Sequence, residues 1–199
     1  DNYVAGLEWL EMSGADLFTA SLGYIDWYEQ GDFDGKTAVT TIAADIAVAQ
    51  GLIMFNSIGN TGPGPTTMGA PSDAEGVISV GAVTLDGAVT EFSSRGPTAD
   101  GRIKPNIVAP GFNVAVAHPN NPEEYVAAQG TSFAGPLAAG TAALLLQAFP
   151  DATPAQMREM LQDAGSRADA PDNDYGWGVP DASHPVFLLC TCTDADGDG

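Results

Sequence analysis

Between residues 2 and 60 two apolar runs, "ADLFTASLG" (15–23) and "LIMFNSIGN" (52–60), are each preceded by a segment of helical length. The first such segment, "NYVAGLEWLEMSG" (2–14), places Val4, Leu7, Trp9 and Leu10 at helical spacing; the second, "KTAVTTIAADIAVAQG" (36–51), closes on Gly51. Strands that follow one another through helical crossovers must run parallel, because a tight hairpin cannot join them. The pattern predicts an α/β fold of three layers, α/β/α, around a mainly parallel central sheet. Beyond Asn60 shorter strands are expected at 77–84, 88–94, 106–111, 113–118 and 124–129, then helices at 132–149 and 154–164. The second of these opens "DATPAQMREML", with Thr153 as cap and Pro154 in the first turn.

A chain of 199 residues, 44% apolar, suits one such domain. Twenty-six acidic residues against six basic ones give a net charge of −20, which excludes nucleic acid and anionic membrane surfaces as main partners. Charged residues total only 16%, so the acidity reflects scarce Lys and Arg and fits a secreted or extracellular setting. No run reaches the roughly 18 apolar residues that cross a bilayer. Cys190 and Cys192 lie too close for an easy mutual disulfide, so each pairs elsewhere or stays free.

In "QGTSFAGPLAAGTAALLL" (129–146) Ser132 stands between small residues at the start of an Ala/Leu-rich helix. One reading makes it a cap for orphan amides. The other makes it a nucleophile: attack on a carbonyl creates an oxyanion, and a helix N-terminus supplies an amide donor and a favourable dipole. Asn60 lies just past the carboxyl end of a parallel strand, where α/β sheets place ligands, and its carboxamide could be a second donor. It could equally be a turn residue in a Gly-rich loop.

Five segments in order, "GADLFTASLGY", "GLIMFNSIGNTG", "APSDAEGVISVGAV", "FSSRGPTADGRIKPNIVAPG" and "GTSFAGPLAAGTAALL", resemble the subtilases, the subtilisin-like serine peptidases. The resemblance covers roughly residues 3–188 and implies a partial peptidase domain over 1–188, incomplete at its N-terminus. It implies Ser132 as the acylated nucleophile and Asn60, with the Ser132 amide, as oxyanion donor. Ser21, Leu22 and Gly23 would pair with the substrate backbone. Ser57, Ile58, Gly59 and Gly69 would wall a specificity pocket; no charged side chain matches that pocket, so a large apolar residue before the cut is expected. Pro71 matches a position that is commonly cis. Phe133, Gly135 and Leu137 depart from the usual serine motif without touching the nucleophile. The partners implied are a protein or peptide substrate, with no cofactor for catalysis.

A serine of this kind needs a base, which the family takes from an "HGT"-like motif, oriented by aspartate in a "DTG"-like motif, both upstream of 15–23. Neither occurs here, and His118 and His184 stand at positions the family does not use. This chain alone is therefore expected to be inactive, with the Asp and His supplied by an upstream segment of the same domain, continuous or nicked. The alternative is a non-catalytic peptide-binding or pseudo-peptidase fragment. The last residues, 189–199, read as an acidic linker or the start of a calcium-binding repeat: Asp194, Asp196 and Asp198 alternate before Gly199 as in an EF-hand-like loop, so structural calcium is possible.

Overall fold

The computed structural model describes residues 2–184. Its elements are α1 (Asn2–Met12), β1 (Leu17–Ala20), α2 (Val39–Ala49), β2 (Ile53–Ser57), β3 (Ile78–Val83), β4 (Ile107–Pro110), β5 (Val114–His118), β6 (Asn121–Ala128), α3 (Thr131–Ala148) and α4 (Pro154–Asp163). Strands β1 to β4 form one sheet in chain order, and every pair is parallel: Leu17 lies beside Ile53, Phe55 beside Ile78 and Val80 beside Ile107. The apolar strands are buried throughout β2 and β3, as expected of a sheet covered on both faces.

Strand alternation sorts the core into two layers. Ile53, Phe55, Ile78, Val80 and Ile107 face α3 and α4, meeting Ala134, Ala138, Ala142, Leu145, Met157 and Leu161. Met54, Ala74 and Val77 face α1 and α2, meeting Tyr3, Leu7, Ala44 and Ala47. The alanine stripe of α3 lets that helix lie close across the whole sheet, so its first turn arrives at the carboxyl ends of the strands. Among the described residues no helix is long and apolar enough to cross a membrane.

Two expectations are corrected. Residues 88–94 do not form a strand; only Val89 bridges to Val83. The segment folds over the end of β3 with two backbone bonds, Thr84 amide to Ala88 carbonyl and Thr90 amide to Ala82 carbonyl, and with side chains: Ser93 Oγ accepts from the Ala82 amide at 3.0 Å, and Thr90 Oγ1 donates to the Ala82 carbonyl at 3.1 Å. The predicted strands at 113–118 and 124–129 are present as β5 and β6, but β6 starts at Asn121 and the two form their own antiparallel ribbon outside the main sheet. The α4 cap is as expected: Thr153 Oγ1 accepts from the Gln156 amide. The Ala70–Pro71 bond is cis.

Lys104 is one of the largest fully buried side chains. Its ammonium donates to the Ala74 carbonyl at 2.8 Å, the Val77 carbonyl at 2.9 Å and Asn106 Oδ1 at 3.0 Å. Three protons meet three oxygens, which stitches the turn before β3 to the entry of β4. Burial nevertheless pushes the lysine down to about 7, with Arg102 and Arg158 adding to the fall and Asp73 and Asp45 opposing it. A depressed folded value means that the unfolded chain binds the proton more readily between about 7 and 10.5. The contribution of this group is then present above 10.5 and lost as pH falls through 7. Chemical denaturation of the protein and of Lys104→Met across that window should show the difference moving in favour of the lysine form as pH rises; a pH-independent difference would contradict the assignment.

Candidate active site

β2 continues past Ser57 for one more ladder bond, Ile58 amide to Val80 carbonyl at 3.0 Å, and then leaves the sheet. Gly59 turns the chain with φ 120°, and a Cβ there would stand 2.8 Å from Ser94 Oγ, so both conformation and space require glycine. The next residue is Asn60. Across the gap, α3 begins after Gly130, whose φ is 143° and whose amide is held by the Gly111 carbonyl at 2.8 Å. Gly130, and not Ser132, is the N-cap, and it has no side chain with which to cap the helix.

Asn60 joins the two ends. Its Oδ1 accepts from the Thr131 amide at 2.8 Å and from Thr131 Oγ1 at 3.0 Å. A backbone amide can only donate, so the carboxamide atom facing it is the oxygen. The two Nδ2 protons are thereby turned to the opposite side of the planar group. Thr131 Oγ1 also accepts from the Gly59 amide at 3.3 Å. Ser132 is the second helical residue, half-buried, and its N–H is among the first-turn amides that have no partner within a helix. Asn60 is bonded to the residue that immediately precedes it.

The other predicted residues surround this point. Ser57 is buried and its Oγ donates to the Thr131 carbonyl at 2.8 Å; Ser21 Oγ donates to the Ser132 carbonyl at 3.0 Å. Leu22 is about half exposed, and its carbonyl accepts from Asn56 Nδ2 at 3.0 Å. Gly23 has open space where a side chain would be. Ile58 is buried, and a Cβ on Gly69 would stand 2.6 Å from Ile25 Cγ2, so Ile25 already occupies that space. Tyr24 and Ala70 pair through both backbone bonds, which aligns the segment after β1 with that before Pro71.

Sequence reasoning missed Thr131, which orients Asn60, and Asn56. The latter had a signal, since a lone amide within an apolar strand needs partners. Fully buried, Asn56 also donates to the Ser57 carbonyl and to Ser72 Oγ, each at 2.9 Å.

Neither histidine reaches Ser132. His118 Nδ1 accepts from the Asn120 amide in its own turn, and His184 lies beside Asp181 near the end of α4. Among the described residues no imidazole or carboxylate is hydrogen-bonded to Ser132, and no three His, Cys, Asp or Glu side chains gather around a metal position. Asp194, Asp196 and Asp198, with both cysteines, lie outside the described residues.

The subtilase family's sequence model matches residues 1–178. The serine protease AprX of Bacillus subtilis (strain 168) is 37% identical over 164 residues, covering 72% of this chain and 37% of the relative. Subtilisin DY of Bacillus licheniformis is 34% identical over 160 residues, covering 79% of this chain and 52% of its own length. The solved structure of the patellamide maturation protease PatA superposes with a TM-score of 0.74 at 26% identity, over 94% of this chain and 68% of that one. Sphericase, at 23% identity and a TM-score of 0.71, shares the fold. The chain belongs to the subtilase family of serine peptidases. It spans about a third to a half of the length of these curated relatives.

Gly130 is the residue on which the juxtaposition turns, since its φ of 143° is one that side chains rarely adopt. Gly130→Ala should lower stability by about 1–3 kcal/mol, measured as a fall in the urea midpoint; an unchanged midpoint would show that the backbone there relaxes freely.

Proposed function

We propose that this chain carries the nucleophile and the oxyanion donors of a subtilisin-like serine endopeptidase, with Ser132 attacking the peptide carbonyl. The observation that carries the reading is the Asn60 carboxamide bonded through its oxygen to Thr131, the residue before Ser132, which leaves its nitrogen as the donor we assign to the oxyanion together with the Ser132 amide. In the tetrahedral intermediate the carbonyl oxygen takes the negative charge and receives those two donors, which need no rearrangement at the moment of reaction. The hydroxyl proton passes to a base and then to the leaving amine; water later hydrolyses the acyl-enzyme at Ser132. Ser21, Leu22 and Gly23 would align the substrate as an added strand, and Ser57, Ile58, Gly59 and Gly69 would receive the side chain before the cut.

The base is assigned to a histidine, oriented by an aspartate, on an upstream segment of the same domain. Two surfaces support this. β1 is one of the two edge strands of the sheet, with no partner on its outer side among the described residues. Beside it the outer face of α3 exposes Leu137 and Leu144, which are 45% and 66% accessible and two turns apart. Such a segment would pair with the one and cover the other. An extracellular location fits the deficit of basic residues.

The competing reading, a non-catalytic peptide-binding fragment, is favoured by the lack of any base bonded to Ser132 among the described residues. A fluorophosphonate probe separates the two. Residues 1–199 alone should not label, whereas the polypeptide that includes the upstream segment should label at Ser132; failure of the latter would favour the binder. In the labelling-competent protein, Asn60→Ala should lower kcat by about a hundredfold or more with KM nearly unchanged. A large rise in KM at normal kcat would contradict the oxyanion role.

A further inference from the structure

Pro136 stands in the second turn of α3 and has no N–H. In an uninterrupted helix the amide of residue 136 would donate to the carbonyl of residue 132, and a proline ring there crowds that same oxygen. The helix therefore withholds a bond from the backbone of the very residue proposed as nucleophile. The missing donor comes from elsewhere in the chain: Ser21 Oγ, just past the end of β1, donates to the Ser132 carbonyl at 3.0 Å.

Distance favours that carbonyl as the acceptor of the Ser21 proton. Ser57 Oγ lies 3.3 Å from Ser21 Oγ, but its own proton goes to the Thr131 carbonyl at 2.8 Å. Ser21 has one proton and two acceptors in reach, and the Ser132 carbonyl at 3.0 Å is nearer than Ser57 Oγ at 3.3 Å, so the pair serves two successive carbonyls of the first helical turn, Ser57 that of Thr131 and Ser21 that of Ser132. The close approach depends on Gly135, where a Cβ would stand 2.8 Å from Ser57 Oγ. A helix turn weakened by proline is thus braced from outside by the ends of β1 and β2.

We infer that the Ser21 hydroxyl is a positioning residue for the nucleophile, replacing the helical bond that Pro136 removes and so fixing the backbone that aims the Ser132 hydroxyl and amide. This rests on Ser132 being the nucleophile. It assigns the Ser21 side chain to the enzyme's own helix, while the backbone of 21–23 remains available to a peptide. Substrate alignment and nucleophile placement then share one segment, and a peptide pairing with 21–23 bears on the same brace.

The test is a double-substitution cycle on the full polypeptide, read as the rate of fluorophosphonate labelling at Ser132. Ser21→Ala should slow labelling about tenfold, the size of one ordinary hydrogen bond, with the thermal midpoint lowered by only about a few degrees. Ser21→Thr, which keeps the hydroxyl, should restore the rate to within about threefold. In a Pro136→Ala background the amide of residue 136 can take over the carbonyl, so adding Ser21→Ala should change the rate by less than about twofold. Equal slowing in both backgrounds, or none in either, would overturn the inference. A readout independent of activity is the carbonyl ¹³C resonance of Ser132 in protein labelled with carbonyl-¹³C serine: Ser21→Ala should shift it upfield, and an unmoved resonance would also overturn the inference. Undiminished labelling of Ser132→Ala would instead remove the catalytic reading itself, whatever Ser21 does.

Discussion

One side-chain oxygen holds the site together. Asn60 Oδ1 takes both the amide and the hydroxyl of Thr131, and in doing so ties the loop leaving β2 to the first residue of α3. These elements are 71 residues apart in the chain, so no local preference could set their distance. A bonded carboxamide also has a defined sense: with the oxygen spent on Thr131, only the nitrogen is left to meet a ligand. The same contact thus provides cohesion and polarity. Loss of the oxygen would leave the Thr131 amide, in a buried residue, without its side-chain acceptor, a cost of about 1–3 kcal/mol.

Around that contact the polar interior forms a graded support. Asn56 ties the exit of β1 to the end of β2 and to Ser72, so the two walls of the cleft share an amide. Behind it, Asp73 accepts from Thr41 Oγ1 at 2.6 Å and from the Gly35 amide at 2.9 Å, while burial raises its carboxyl above the usual range. Lys104 closes the far side by gathering carbonyls that the turn at 74–77 would otherwise leave unpaired. The donors of Asn56 and Lys104 and the carboxylate of Asp73 are bonded, whereas Asn56 Oδ1 is buried with no hydrogen-bond partner among the described residues.

Much of this was legible in the residues. Helix followed by strand, twice, dictated parallel pairing, whereas the positive φ of Gly59 and Gly130, where the chain leaves the sheet and enters the helix, is seen only in the structure. The order of the motifs gave the family, and it was the resemblance, with Asn60 just past a strand end and Ser132 at a helix start, that paired the two as a proposed site. Residues 88–94 misled because their backbone pairing with the end of β3 stops after the Thr84–Ala88 and Thr90–Ala82 bonds, beyond which Ser93 meets the Ala82 amide through its hydroxyl rather than its backbone. Thr131 was overlooked because its partner is distant in sequence, and the brace on Ser132 required seeing Ser21 and Pro136 in the same place. Proline alone announced a lost bond, but not which hydroxyl would supply it.

The most direct measurement is a crystal structure of the full polypeptide with Ser132 phosphonylated, since the adduct holds an oxygen where the tetrahedral intermediate bears its charge. The account predicts that this oxygen lies within hydrogen-bonding distance of both Asn60 Nδ2 and the Ser132 amide, with Asn60 Oδ1 still on Thr131. An adduct oxygen directed to solvent, or an Asn60 carboxamide turned away from it, would contradict the account.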